Sequence, residues 1–275
     1  MKTKTLVLFI ICVSLASLLI AEDTTMITGR EKRSQAKSGG EWDDWFALVL
    51  PGMDEVLVAS KKFNFDIGWG KEWEVDFDIY YPPNYNFKSK LPAVFISHGH
   101  PQWKSLISFG QLIAASGLIA IIPDVSSYEE SFGVCINHCL KNAKAFGIDK
   151  KSIGIWGGQT ANPSIQALNV ALDKTQKYHK YIKCAVFQSA VFTLFDPSDK
   201  NKMNDEVPLL FITGSSGLYR ESHNLFLEVA EEMNIPIEYI IYEGADHIWY
   251  KDDTEETRDF IQKELDFFDE HLKGK

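Results

Sequence analysis

Cysteine is scarce in this chain, with four in 275 residues, and one of them, Cys12, falls in an apolar run near the amino terminus. The other three, Cys135, Cys139 and Cys184, are an odd number and do not make the framework of a disulfide-stapled scaffold. An oxidising compartment leaves room for one bridge among them. Cys135 and Cys139 stand four apart with His138 between them, but no second pair follows to complete four metal ligands. Buried apolar thiols are the expected reading. Dense basic stretches are also missing and the formal net charge is −10, which excludes DNA and RNA as partners. There is no internal repeat. At 45% hydrophobic and 24% charged residues, the composition is not that of a disordered chain.

What is present begins with Lys2 and Lys4, followed by the uncharged run Thr5 to Ile20 and Ala21. A charged start, an apolar stretch and a small residue before Glu22-Asp23 predict a cleaved signal peptide over residues 1–21, and a secreted or periplasmic protein. The rival reading is a retained membrane anchor, since the run approaches the lower limit for a spanning helix. Cleavage would leave no membrane association. Residues 22–64 are expected to be a polar linker and an N-terminal segment, with the folded domain over 65–275.

From Glu74 the pattern becomes regular. Val75, Phe77 and Ile79 alternate with Glu74, Asp76 and Asp78, which predicts a strand exposed on its acidic face. Pro92 to Ile96, Leu118 to Ile122, Ile153 to Trp156, Ile182 to Phe187, Leu209 to Thr213 and Ile237 to Tyr242 read as further strands, the first two being unbroken apolar runs. Between them lie helical stretches: Leu106 to Ala115, a helix opened by Ser127-x-x-Glu130 and running through Phe146, Ile165 to Leu172, and Glu221 to Met233. A last helix carries Ile261, Leu265, Phe268 and Leu272 on one stripe. This alternation predicts a single α/β domain, with a mostly parallel central sheet and helices on both faces.

The most telling segment is Ile153 to Ala161. A β-branched strand ends in Gly157-Gly158, and Pro163 is placed to open a helix, the strand–turn–helix context of a G-x-S-x-G nucleophile elbow. In that frame Gln159 stands where serine should be and Ala161 replaces the second glycine. A carboxamide is no nucleophile.

The motifs Asp78 to Pro83, His98-Gly99, Pro123-Asp124, Ile153 to Gly157 and Gly244 to His247 occur in an order that resembles small α/β-hydrolases of the dienelactone hydrolase and secreted carboxylesterase group. The resemblance spans about residues 74–272. It implies an α/β-hydrolase fold without a large cap domain, and no cofactor. It places the general base at His247, and the oxyanion-hole backbone donors at His100 and Thr160. The acid position, three residues after Gly214, falls on Gly217, which has no side chain. Two of three triad positions are thus vacant, which points to a non-catalytic protein with a small-molecule or acyl-type ligand in the former pocket; the sequence names no protein partner.

Two alternatives keep catalysis open. A frame shifted by one makes Thr160 the nucleophile, and Asp196, beyond the Ile182 to Phe187 strand, could serve as acid to His247. Asp246 adjoins His247 but would point the opposite way on a strand. His98, His100 and His247 could be grouped as metal ligands, yet no supporting carboxylate is evident, so no metal is expected. His98 also reads as a structural residue of its loop.

Overall fold

The computed structural model describes residues 26–36, 49–98, 104–125, 130–158, 161–192, 196, 201–216, 220–245 and 252–274. Its strands are β1 (Met26–Thr28), β2 (Leu57–Gly68), β3 (Lys71–Tyr81), β4 (Leu91–Ser97), β5 (Ile119–Pro123), β6 (Ile148–Gly158), β7 (Ile182–Gln188), β8 (Leu209–Gly214) and β9 (Ile237–Tyr242). The helices are α1 (Gly29–Ser34), α2 (Lys104–Ala115), α3 (Ser131–Lys141), α4 (Ala161–Leu172), α5 (Arg220–Glu232) and α6 (Glu255–Lys273).

All nine strands join one sheet in the order β1-β2-β3-β5-β4-β6-β7-β8-β9. From β5 to β9 every neighbouring pair is parallel, whereas β1, β2 and β3 pair antiparallel at one side. The apolar runs read from the sequence are the parallel strands. β5 and β8 are buried at every position because helices cover both faces of the sheet. Side chains of α3, α4 and α5 share one core layer, and those of α2 and α6 the other. The stripe of α6 is buried as expected, and Thr254 caps its start by accepting from the Thr257 amide at 3.1 Å.

The amino-terminal side departs from the sequence reading. Part of the segment read as polar linker is ordered: β1 pairs with β2, and α1 follows with a capping box between Thr28 and Glu31. Lys32 on α1 is 7% exposed, and its Nζ lies 2.6 Å from Asp78 Oδ2. Asp78 also accepts from Ser60 Oγ at 2.5 Å and is buried, correcting its expected exposure. An ion pair across the sheet pulls a polar segment into the fold, and no local periodicity reveals it.

A second correction concerns α3. The helix begins at Ser131 behind Glu130, which makes no side-chain capping bond; Ser127 lies outside the described residues. It stops at Lys141, where Asn142 turns its side chain back to His138 O at 3.0 Å. Ala143 and Phe146 pack into the core from the following turn, so their apolar spacing imitates a helix that has already ended.

Candidate functional site

The carboxyl ends of β4, β6, β7, β8 and β9 lie side by side, and in open parallel sheets ligands bind beyond these ends. At their centre β6 stops at Gly158 and α4 starts at Ala161, so only residues 159 and 160 connect strand to helix. Both elbow glycines are sterically required. A Cβ on Gly157 would sit 2.5 Å from Ala167 Cβ, and one on Gly158 would sit 2.7 Å from the Trp156 ring and 2.8 Å from Gln188 O. The first turn of α4 is fastened on two sides: Ser97 Oγ donates to Pro163 O at 2.9 Å, and the Val191 amide donates to Ser164 Oγ at 3.1 Å.

Gln159, Thr160, His100, Gly217 and His247, together with Asp246, lie outside the described residues. The strands leading to them are placed. β6 and β9 are three strand spacings apart, about 14 Å. The loops after β8 and β9 are clasped together before those residues begin. Ser215 Oγ accepts from the Gly244 amide at 2.8 Å, and Ser216 Oγ donates to Ala245 O at 2.6 Å. The segments that run on to residues 217 and 247 therefore leave from one hydrogen-bonded platform. His98, just past β4, is 7% exposed, with its ring centroid 6.3 Å from that of Trp156. Asp196 lies beyond β7 and is exposed.

Two groups beside the elbow were not singled out from the sequence. Gln188, the last residue of β7 and the register partner of Gly158, is fully buried, and among the described residues neither of its amide atoms has a hydrogen-bond partner. Ser189 follows with φ 45°, its hydroxyl buried and likewise without a partner. Unmet buried polar groups cost about 1–3 kcal/mol each. The turn they begin is held by His223, whose Nε2 donates to Ala190 O at 2.7 Å; a carbonyl only accepts, so Nε2 carries the proton. A polar pair closing the apolar run Cys184 to Phe187 was the available signal.

The second group is Glu264 on α6. It is fully buried, and its Oε1 accepts only a long bond from Trp156 Nε1, at 3.4 Å. Burial pushes its carboxyl up to about 8, with the indole bond opposing the rise. Trp156 touches the elbow at Gly158 and lies 4.6 Å, centroid to centroid, from Phe109, so Glu264 sits directly behind the elbow's support. Its place in sequence, on the same stripe as Ile261, Leu265 and Phe268, marks it as a polar residue at a core position.

The three cysteines Cys135, Cys139 and Cys184 are free and buried, and burial raises the Cys139 and Cys184 thiols, which makes them poor nucleophiles and ligands. Among the described residues no group of three or more His, Cys, Asp or Glu is arranged to hold a metal. No helix among them is long and apolar enough to cross a membrane, and residues 1–21 lie outside them.

No protein-family model matches the chain. No curated protein sequence matches it either. Solved structures do. A fungal esterase from Rhizomucor miehei is similar with TM-score 0.62 and 14% identity, over 79% of this chain and 85% of that one. Esterase 2 of Thermogutta terrifontis, phosphonylated by cyclosarin, is similar with TM-score 0.58 and 17% identity, over 78% and 93%. A putative dipeptidyl aminopeptidase IV from Bacteroides ovatus gives 0.61 and 15%, over 79% of this chain but 36% of that one. At such identities the likeness is one of fold. The chain has the α/β-hydrolase fold, and it is structurally similar to esterases.

Proposed function

We propose that the chain is a secreted α/β-hydrolase-fold protein that performs no acyl transfer and uses the former active-site pocket to bind a small or acyl-type ligand. The observation that carries this reading is the length of the elbow. Between Gly158 and Ala161 only Gln159 and Thr160 are available, and the residue in the nucleophile frame is a carboxamide. Gly217 at the acid position removes the group that would orient and charge-stabilise His247. The elbow glycines are explained by packing against Ala167 and Gln188 and require no chemistry. Gln188 and Ser189 supply buried polar groups at the same edge whose hydrogen bonds are unmet.

The test is reactivity toward acyl and phosphonyl electrophiles. The structurally similar Thermogutta esterase is phosphonylated by cyclosarin. This protein, incubated with a fluorophosphonate, should show no added mass, and it should not hydrolyse p-nitrophenyl acetate or butyrate above a His247→Ala control. A stoichiometric adduct on Thr160, with turnover abolished by Thr160→Ala, would instead establish an active hydrolase with Thr160 as nucleophile, His247 as base and Asp196 as acid.

A further inference from the structure

The edge of the sheet opposite the elbow carries a different kind of site. The segment entering β4 and the turn leaving α3 form the two walls of a groove of about 480 Å³, lined by Lys88, Lys90, Lys141 and Lys144 with Phe87 and Asn142. The walls are fixed to each other at Gly147 O, which accepts from the Leu91 amide at 2.9 Å and from Tyr85 Oη at 3.3 Å. All four lysines are exposed, and among the described residues none of their ammonium groups forms an ion pair. This is unusual in a chain whose net charge is −10.

The topology extends the charge. β4, β6 and β7 are neighbours, so the start of β6 and the connection entering β7 lie along the same edge, and they add Lys150 and Lys151 from the first and Lys174, Lys177 and Lys180 from the second. Two acids interrupt this stretch and both are engaged locally. Asp149 accepts from the Lys151 amide at 3.1 Å, and Asp173 accepts from Thr175 Oγ1 at 2.6 Å and Gln176 Nε2 at 2.9 Å. The linear sequence shows no basic block, because the lysines arrive in short pieces on three segments that only the parallel sheet brings together.

We propose that this edge binds an extended, sulfated or carboxylated polysaccharide, seated in the Lys88–Lys144 groove and tracking along the lysines at the start of β6 and before β7. Uncompensated ammonium groups along an edge create a positive potential that a repeating anion satisfies better than a single ion does. The residues are lysine, not arginine: point charges on flexible stems, without the planar fork that fixes one phosphate or reads a base edge. Successive bases also lack a row of rings to stack on, because Phe87 is the one aromatic side chain among the described residues lining the groove. A concave groove favours a chain over a flat lipid surface. Seven-residue β4 separates this edge from the elbow by about 20 Å, so the two sites are distinct.

The experiment compares two triple variants of equal net charge: Lys88→Gln/Lys141→Gln/Lys144→Gln at the groove, and Lys61→Gln/Lys62→Gln/Lys71→Gln on the β2–β3 hairpin. Binding to dextran sulfate is measured by fluorescence titration at 50 mM and 200 mM salt, with neutral dextran, anionic phospholipid vesicles and a single-stranded oligonucleotide as parallel probes. Thermal melts confirm that both variants fold. The groove variant should bind dextran sulfate about tenfold more weakly than wild type at low salt and with a shallower salt dependence. The hairpin variant should stay within about twofold of wild type, as expected where phosphate- or sulfate-type contacts are absent. No binding of dextran sulfate, equal weakening by both triples, or tighter binding to vesicles or oligonucleotide at matched charge would overturn the proposal.

Discussion

Replacing Glu264 by Gln should make the protein more stable, and increasingly so as pH rises. In the native state the carboxyl titrates at about 8, against 4.5 for an ordinary glutamate, because it is fully buried with one long bond from Trp156. Between these values the folded protein holds a proton that the unfolded chain has released. Stability from this group is therefore undiminished below the ordinary value, falls steadily as pH rises, and stops falling above about 8. Each pH unit in that window costs about 1.4 kcal/mol, so the loss by pH 7 is on the order of 3 kcal/mol. Glutamine has nearly the same shape and no proton to lose. Urea unfolding of wild type and Glu264→Gln, followed by tryptophan fluorescence from pH 5 to 9, isolates the effect, since all other titrations cancel in the difference. That difference should widen by about 3 kcal/mol between pH 5 and pH 8 and then flatten. A constant difference would refute the reasoning: it would mean that Glu264 ionises normally, through water or a partner beside the indole. Glu264→Leu, which cannot hydrogen-bond, should show the same widening from a different starting offset.

Three further outcomes follow from the same physics. Gly157→Ala should destabilise the fold by about 1–3 kcal/mol through contact with the Ala167 methyl, and Ala167→Gly in the same chain should recover most of the loss in a thermal melt. Lys32→Met should cost about 3–5 kcal/mol by stranding the Asp78 carboxylate, whereas adding Asp78→Leu should restore near wild-type stability in urea titrations. Gln159→Ser alone should give feeble ester hydrolysis, because an imidazole without its acid loses on the order of 10⁴ in turnover; adding Gly217→Asp should raise the rate well above the single variant, and a double variant no better than Gln159→Ser would sink the assignment of residue 217.

The parallel half of the sheet was legible because burial on two faces demands continuous apolar runs, and β4, β5 and β8 have them. The antiparallel side was not. β2 alternates Phe63, Phe65 and Ile67 with Lys62, Asn64 and Asp66, a period-two signal astride the boundary expected between the N-terminal segment and the domain at residues 64 and 65, and α1 joins the fold through Lys32 and Asp78, whose attraction acts between residues 46 positions apart. At the site, the sequence located the elbow and the strand ends that present each candidate residue. It did not disclose Gln188, Ser189 or Glu264, because their significance lies in what surrounds them: two groups with unmet hydrogen bonds and one carboxyl held neutral by burial.

The strand-to-helix turn itself shows how packing can hold such a motif in place. Gly157 is required by Ala167 on the helix that follows, and Gly158 by Gln188 O on the neighbouring strand, both clashes arising within the core. The fold preserves the strand–turn–helix signature for packing reasons alone, and the signature by itself is evidence of architecture. Chemistry must be argued from the site, and under the proposed reading that means positions 159, 217 and 247, where the sequence carries glutamine, glycine and histidine.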